Sequence, residues 1–365
     1  MLKSFLSGIK DHRRTQGKRY KLEHILLFSI LAILSGATSY RKIHKFIVAH
    51  YATLNAIFAL EWRRMPGHTT IRAIIQGTSK TEMEKSFREY SQALAKSTSP
   101  QQFIGCDGKV LRGSFDHFQG QQAIQILSAF LSESHIILAH EELAVKTNEI
   151  PTAQRLMKEL GLSGYIFTCD ALHCQANTLA TAHETGNDVI VQVKGNQQTL
   201  FRDCQTSAAA TPDAVYQEPV TKTHNRIECR SVAIFINPHL TDAEKWHRVK
   251  VVIKVKRTRR EFDTKTKQWK NSVATAFYIS TIILNAQEFC QAIRTHWGIE
   301  NRNHYVRDVT LGEDTSRIRV NPNIFAKLRS FALNILRINK VENVSLALFD
   351  NCMNLDNVLN YAGVL

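Results

Sequence analysis

Seven cysteines, at positions 106, 169, 174, 204, 229, 290 and 352, form no CxxC pair. An odd number at irregular spacing builds no disulfide framework and suits reduced thiols in a cytoplasmic protein. Long apolar runs are missing as well. The longest, "ILLFSILAIL" from Ile25 to Leu34, spans ten residues, half of what a bilayer requires, and reads as a buried helix rather than a membrane span. The start, "MLKSFLSGIKDHRR", turns basic after too short an apolar core to act as a secretory signal. No GxxxxGK[ST] loop, GxSxG elbow, HExxH pair or kinase signature occurs. Their absence argues against nucleotide hydrolysis, serine hydrolysis and zinc proteolysis. Internal repeats and low-complexity segments are also absent.

Acidic residues are scarce: 32 Asp and Glu against 47 Lys and Arg give a formal charge of +15 and a pI near 9.6. With 44% apolar residues in 365, the chain can bury a sizeable core, as two domains or one elaborated domain. The charge is uneven. Residues 1–100 hold 17 basic against 6 acidic side chains, and Arg248 to Lys270 hold ten against Glu261 and Asp263. One basic face is ordinary, but two separate clusters point to a polyanionic partner, nucleic acid before membrane.

Residues 1–100 read as an all-helical domain, with "LEHILLFSILAILSGA" stopping at Gly36 and a break at Pro66-Gly67. Lys96 to Gln102 reads as a linker. Strand patterns then take over. "QQFIGCDGKVLRGS", "QAIQILSAFLSES" and "HIILAHEELA" are followed by helix, strand, helix and strand, the fifth strand being "NDVIVQVKGNQ". This β-β-β-α-β-α-β order predicts an α/β fold of the ribonuclease H-like type. Its mixed sheet draws on residues 101–204 and 285–365, with a β-rich insertion at 205–284 carrying a basic hairpin.

Two of these strands end on an aspartate: Asp107 in "FIGCDGKV" and Asp170 in "YIFTCDALHC". A single Asp after a strand is usually a turn former. If the first and fourth strands are neighbours, however, the pair would lie side by side and require a cation between them. Oxygen-only ligands favour Mg²⁺ or Mn²⁺, and two such ions suit phosphodiester chemistry. A third carboxylate is offered by Glu300 in "IRTHWGIENRNHYVRD". Read as a helix, this segment puts Trp297, Glu300, His304 and Arg307 on one face. A Zn²⁺ site of His296, Glu300 and His304 lacks a fourth ligand.

The chain resembles the insertion-sequence DDE transposases of the H-repeat-associated type, most specifically in "IGCDGKVLRGS", "KTNEIP", "TCDALHCQ", "VQVKGNQ" and "HWGIENRNHYVRDVTLGEDTSRIR". The resemblance implies a catalytic and metal-binding triad of Asp107, Asp170 and Glu300 and two Mg²⁺ (or Mn²⁺) ions. It also implies terminal inverted repeats and target DNA as partners, a dimer in the DNA complex, and a cytoplasmic, nucleoid-associated location. Related transposases place Tyr, Arg and Lys seven before, four before and seven after the Glu; here Ile293, His296 and Arg307 occupy those offsets. Phosphate contacts are expected from Lys109, Arg112, Lys146, Asn148, Lys194 and Asn196, with Trp297, His304 and Arg307 gripping a DNA end. Asp308, Glu313 and Asp314 are rival third acids. The alternatives are a structure-specific endonuclease on the same fold, or a decayed copy that still binds DNA.

Overall fold

The computed structural model describes residues 1–95, 102–115, 120, 122–143, 149–223 and 225–365. The expected linker lies almost wholly outside them, and Lys146 and Asn148 fall outside them too. The chain divides into two compact units: Met1–Thr98 with Gly108–Glu149 and Ile299–Leu365, and Ser99–Asp107 with Ile150–Gly298.

The first unit contains helices α1 (Leu2–Ser7), α2 (Leu22–Leu34), α3 (Tyr40–Ala49), α4 (Tyr51–Phe58), α5 (His68–Gln76) and α6 (Lys80–Leu94). Helices α3 and α4 meet at His50, whose backbone at φ −108° and ψ 13° leaves the helix. Strands β2 (Gln125–Leu131) and β3 (Ile136–Leu143) form an antiparallel hairpin in the same unit. Helices α11 (Pro322–Ile338), α12 (Val344–Met353) and α13 (Leu355–Leu359) complete it. Helix α2 is apolar around nearly its whole circumference, so it is buried on all sides and packs against α11. Pro322 opens α11 in the first turn, where a missing N–H costs nothing. Asn334 of α11 bonds Ile137 of β3 twice, accepting from its N–H and donating to its carbonyl, each at 2.9 Å. One apolar core therefore joins the amino-terminal helices to the carboxy-terminal ones. An independent domain over residues 1–100 is not how the chain divides.

The second unit is built on a mixed sheet ordered β1-β4-β5-β10-β9-β8-β6, with β7 (Thr221–Thr223) pairing β8. Its strands are β1 (Phe103–Val110), which runs on into the first unit after Asp107, β4 (Ile166–Cys169), β5 (Asp188–Val193), β6 (Ala214–Gln217), β8 (Arg226–Ile236), β9 (Val251–Asp263) and β10 (Gln268–Ser280). Helices α8 (Ala176–Glu184), α9 (Gln198–Ser207) and α10 (Ala286–His296) belong to this unit. Helix α7 (Glu149–Glu159) connects to β4. Strands β1, β4 and β5 run parallel, joined by helical crossovers. Residues 205–284 are no separate insertion. The apolar end of β10 pairs antiparallel with β5, from Phe277↔Val193 to Ser280↔Ile190, so these strands extend the same sheet. Beyond that point β9 and β10 become more exposed, and β9 becomes basic.

Candidate active site

The parallel pairing of β1 with β4 runs Phe103↔Ile166, Ile104↔Phe167 and Gly105↔Thr168. The same register carried two steps further sets Asp107 level with Asp170. The backbone of Asp170 is still extended there, at φ −75° and ψ 177°. Neighbouring strands lie about 4.8 Å apart, and residues level with one another share a face. At an effective dielectric near 20, two carboxylates at that spacing repel by about 3 kcal/mol. A divalent cation held by both would offset that cost. The donor set, hard oxygens only, fits Mg²⁺ or Mn²⁺. Among the described residues no three Asp, Glu, His or Cys side chains form a ready-made cage.

Asp170 also has a structural task, since its side chain accepts from the Leu172 N–H at 3.0 Å and caps the short turn that follows β4. The loop after β5 docks on that turn. Asn196 donates to the Ala171 carbonyl at 2.7 Å and Gln197 to the Cys174 carbonyl at 2.9 Å, leaving Lys194 exposed beside them. Helix α10 is tied to β4 by His296, whose Nδ1 lies 3.1 Å from the Thr168 hydroxyl. Burial pushes His296 down to about 4, although the Asp170 carboxylate pulls the other way. Trp297 stands edge-on to His296 and is 44% exposed.

Glu300 is exposed and belongs to the first unit, whereas both aspartates belong to the second. The α-helix expected to run on through Arg307 stops at His296. Wide π-type turns follow over Ile299–His304 and Val306–Thr310. With more residues per turn the expected face dissolves: Glu300 meets solvent, while Arg307 is fully buried.

Arg307 instead joins a buried ion cluster centred on Glu313. Arg307 Nη2 and Lys109 Nζ reach Glu313 at 3.0 and 2.6 Å, and Arg329 approaches to 3.9 Å. Lys109 also pairs with Asp308. Burial pushes the Glu313 carboxyl up, but the charges of Arg307, Lys109 and Arg329 outweigh it and hold the group at about 2. Burial, with Arg307 and Lys109 nearby, pushes His304 down to about 3. The expectation that Lys109, His304 and Arg307 face DNA phosphates is therefore corrected. Lys109 and Arg307 spend their charge inside the first unit, and His304 is neutral beside them. Two rival acids are structural for the same reason: Glu313 is at the centre of the cluster and Asp308 holds Lys109. Asp314 makes a looser pair with the exposed Arg112 at 3.6 Å.

One acid escaped the sequence reading. Glu149, the last polar residue of "KTNEIP", lies against Gly108, where an added Cβ would stand 2.8 Å from its Oε1. The signal available was the glycine that follows Asp107: close approach of another group is a standard reason for glycine in a strand.

Residues 107–335 match the family model for the transposase DDE domain, and residues 3–91 match the model for its associated region, DDE_Tnp_1-associated. The transposase-named YncI of Escherichia coli O157:H7 is 30% identical over 352 residues, covering 92% of this chain and 87% of its own length. The H repeat-associated, transposase-named YhhI of Escherichia coli K12 is 29% identical over 348 residues, covering 93% and 91%. A solved piggyBac transposase synaptic complex with hairpin DNA aligns at a TM-score of 0.46 and 10% identity, over 98% of this chain and 78% of that one, too low for a shared fold to be read from it.

Proposed function

The chain belongs to the family of transposases with a DDE domain, and from that premise we propose that it cuts the ends of an insertion element and joins the freed 3′-hydroxyls to target DNA on a ribonuclease H-like core. The observation that supports this reading is the parallel pairing of β1 with β4, whose register, continued two residues past Gly105↔Thr168, would bring Asp107 level with Asp170. In this reading Asp107, Asp170 and Glu300 are the catalytic carboxylates and hold two Mg²⁺ or Mn²⁺ ions. Bound there, such ions supply Lewis acidity to the attacking and leaving oxygens of an in-line displacement. The protein's own part is positioning. Strands β1 and β4 fix the two aspartates, and the turn capped by Asp170 is braced by Asn196.

In this reading the exposed side chains of Arg112, Lys194 and Trp297 contact the DNA strand, as does Asn196. The helical amino-terminal region and the exposed ends of β9 and β10 take the terminal inverted repeats, and two copies act together on two ends. Arg260 stacks over Trp269 on that hairpin, a pairing suited to an unpaired base or a phosphate. No described helix is long and apolar enough to cross a membrane.

The test is to incubate the protein with Mg²⁺ and duplexes bearing the element's ends, and to resolve joined products from cut ones. Joining that disappears in Asp170→Asn supports the reading. Cleavage with no joining by wild-type protein points instead to a structure-specific endonuclease.

A further inference from the structure

The turn between β2 and β3, the wide turns after Glu300 and the end of α11 enclose a cavity of about 750 Å³ in the first unit, outside the triad. Arg302, Arg337 and Lys340 line it, facing the acids Glu133 and Glu342, with Leu94 and Ile338 as apolar wall. Arg302 Nη1 bonds His135 Nε2, and Arg337 Nη2 donates to the carbonyl of Arg302. The first bond makes His135 Nε2 the acceptor and puts the ring hydrogen on Nδ1. Arg337 Nε and the hydroxyl of Ser134 are buried without a hydrogen-bond partner among the described residues, while the His135 ring bonds the backbone of Ser132. Neither guanidinium has a carboxylate partner among those residues.

Two guanidiniums therefore share one cavity with no ion pair to either among the described residues, although Glu133 and Glu342 line it as well. Burial, and then the charge of Arg302, holds Arg337 below its usual range. Burial, with both guanidiniums, pushes His135 down to about 4 and keeps it a neutral donor. His135 also takes a left-handed φ of 58°. The carbonyl end of α11 calls for one cation in its last turn, and Arg337 supplies it. Arg302 and Lys340 are left over. Cations with no ion pair, the spare Arg337 Nε–H and a partly apolar wall together make a site for an anion that accepts several hydrogen bonds.

We propose that this cavity seats a backbone phosphate of the DNA strand, held by Arg302, Arg337 and Lys340. Arg302 follows Glu300 by two residues in the sequence. This inference rests on the reading of DNA as substrate.

The test uses full-length Lys340→Gln and Arg337→Gln/Lys340→Gln, with affinity for an end-bearing duplex measured by fluorescence anisotropy across a salt series. Lys340 is exposed, so its variant should melt at the wild-type temperature. The slope of log affinity against log salt should become shallower in both variants, by up to about 1 in the double, because one phosphate is held. Wild-type slope and affinity in both variants would overturn the proposal. Inorganic phosphate alone raising the melting temperature of the wild type but not of the double variant, with DNA binding unchanged, would assign the cavity to a free anion and also overturn it. Weakened DNA binding in the variants of a protein that joins no ends would sustain the cavity and remove the transposition reading. The reverse pattern would remove the cavity alone.

Discussion

Lys109 Nζ lies 2.6 Å from Glu313 Oε1, both side chains almost completely withdrawn from water. Lys109 stands two residues after Asp107, and Glu313 stands thirteen after Glu300. The cluster thus fixes, within the first unit, the chain just beyond one proposed catalytic acid and the chain downstream of another. Glu313→Gln would leave Lys109, Arg307 and Arg329 buried with one anion fewer. We expect a loss of about 3–5 kcal/mol in urea unfolding, since breaking a buried pair strands its partner. Lys109→Met should cost less, because Arg307 and Arg329 still neutralise Glu313. An unchanged midpoint in Glu313→Gln would show that the cluster holds nothing.

The same group sets an acid limit. With the folded carboxyl at about 2 and an ordinary value of 4.5, Glu313 contributes stability that is complete above about 4.5 and is lost as pH falls toward 2. His140 acts at milder pH. Its ring is buried against Phe87, between the hydroxyls of Ser128 at 2.8 Å and Ser330 at 2.7 Å, and burial holds it well below 6.5. The unfolded chain protonates this group from 6.5 downward while the folded one does not. Unfolding at pH 5 should therefore be easier by about 2 kcal/mol than at pH 7 on this account alone. His140→Gln should flatten that difference, and an equally steep pH dependence in the variant would refute the assignment.

Gly113, in "KVLRGS", sits where an added Cβ would stand 1.9 Å from the carbonyl oxygen of Ser316. The obstacle is backbone, so it cannot swing aside. Gly113→Ala should destabilise by about 2–4 kcal/mol as measured by thermal melting. A melting temperature like that of the wild type would mean the two segments part freely.

On the basic hairpin, replacing Arg257, Arg259 and Arg260 by Gln should weaken DNA binding and make the salt slope shallower by up to about 3 if each meets a phosphate. Folding should be largely unaffected, because these side chains lie at the solvent-facing end of β9. Binding with the wild-type slope would move the DNA surface elsewhere.

The parts most legible in the sequence are those with a local cause. Helix α2 follows from its apolar run, α10 begins at a capping box of Asn285 and Glu288, and β1 and β4 each end on an aspartate. The sequence makes the aspartate pair conditional on β1 and β4 being neighbours, and the two strands do pair, in parallel. What sequence could not show is set by distant partners. Lys109 looks like a phosphate ligand until Glu313, 204 residues away, takes its charge. Arg307 looks like a helix-face neighbour of Glu300 until the turns widen. The division at 100 fails because the partner of α2 is α11, hundreds of residues downstream.

The most direct measurement is an anomalous difference map from crystals of the protein bound to an end-bearing duplex and soaked in Mn²⁺. Two peaks should stand between Asp107 and Asp170, one of them also bonded by Glu300. A manganese ion bound without the two aspartates, or with Asp308 or Asp314 in the place of Glu300, would contradict the assignment of the three acids.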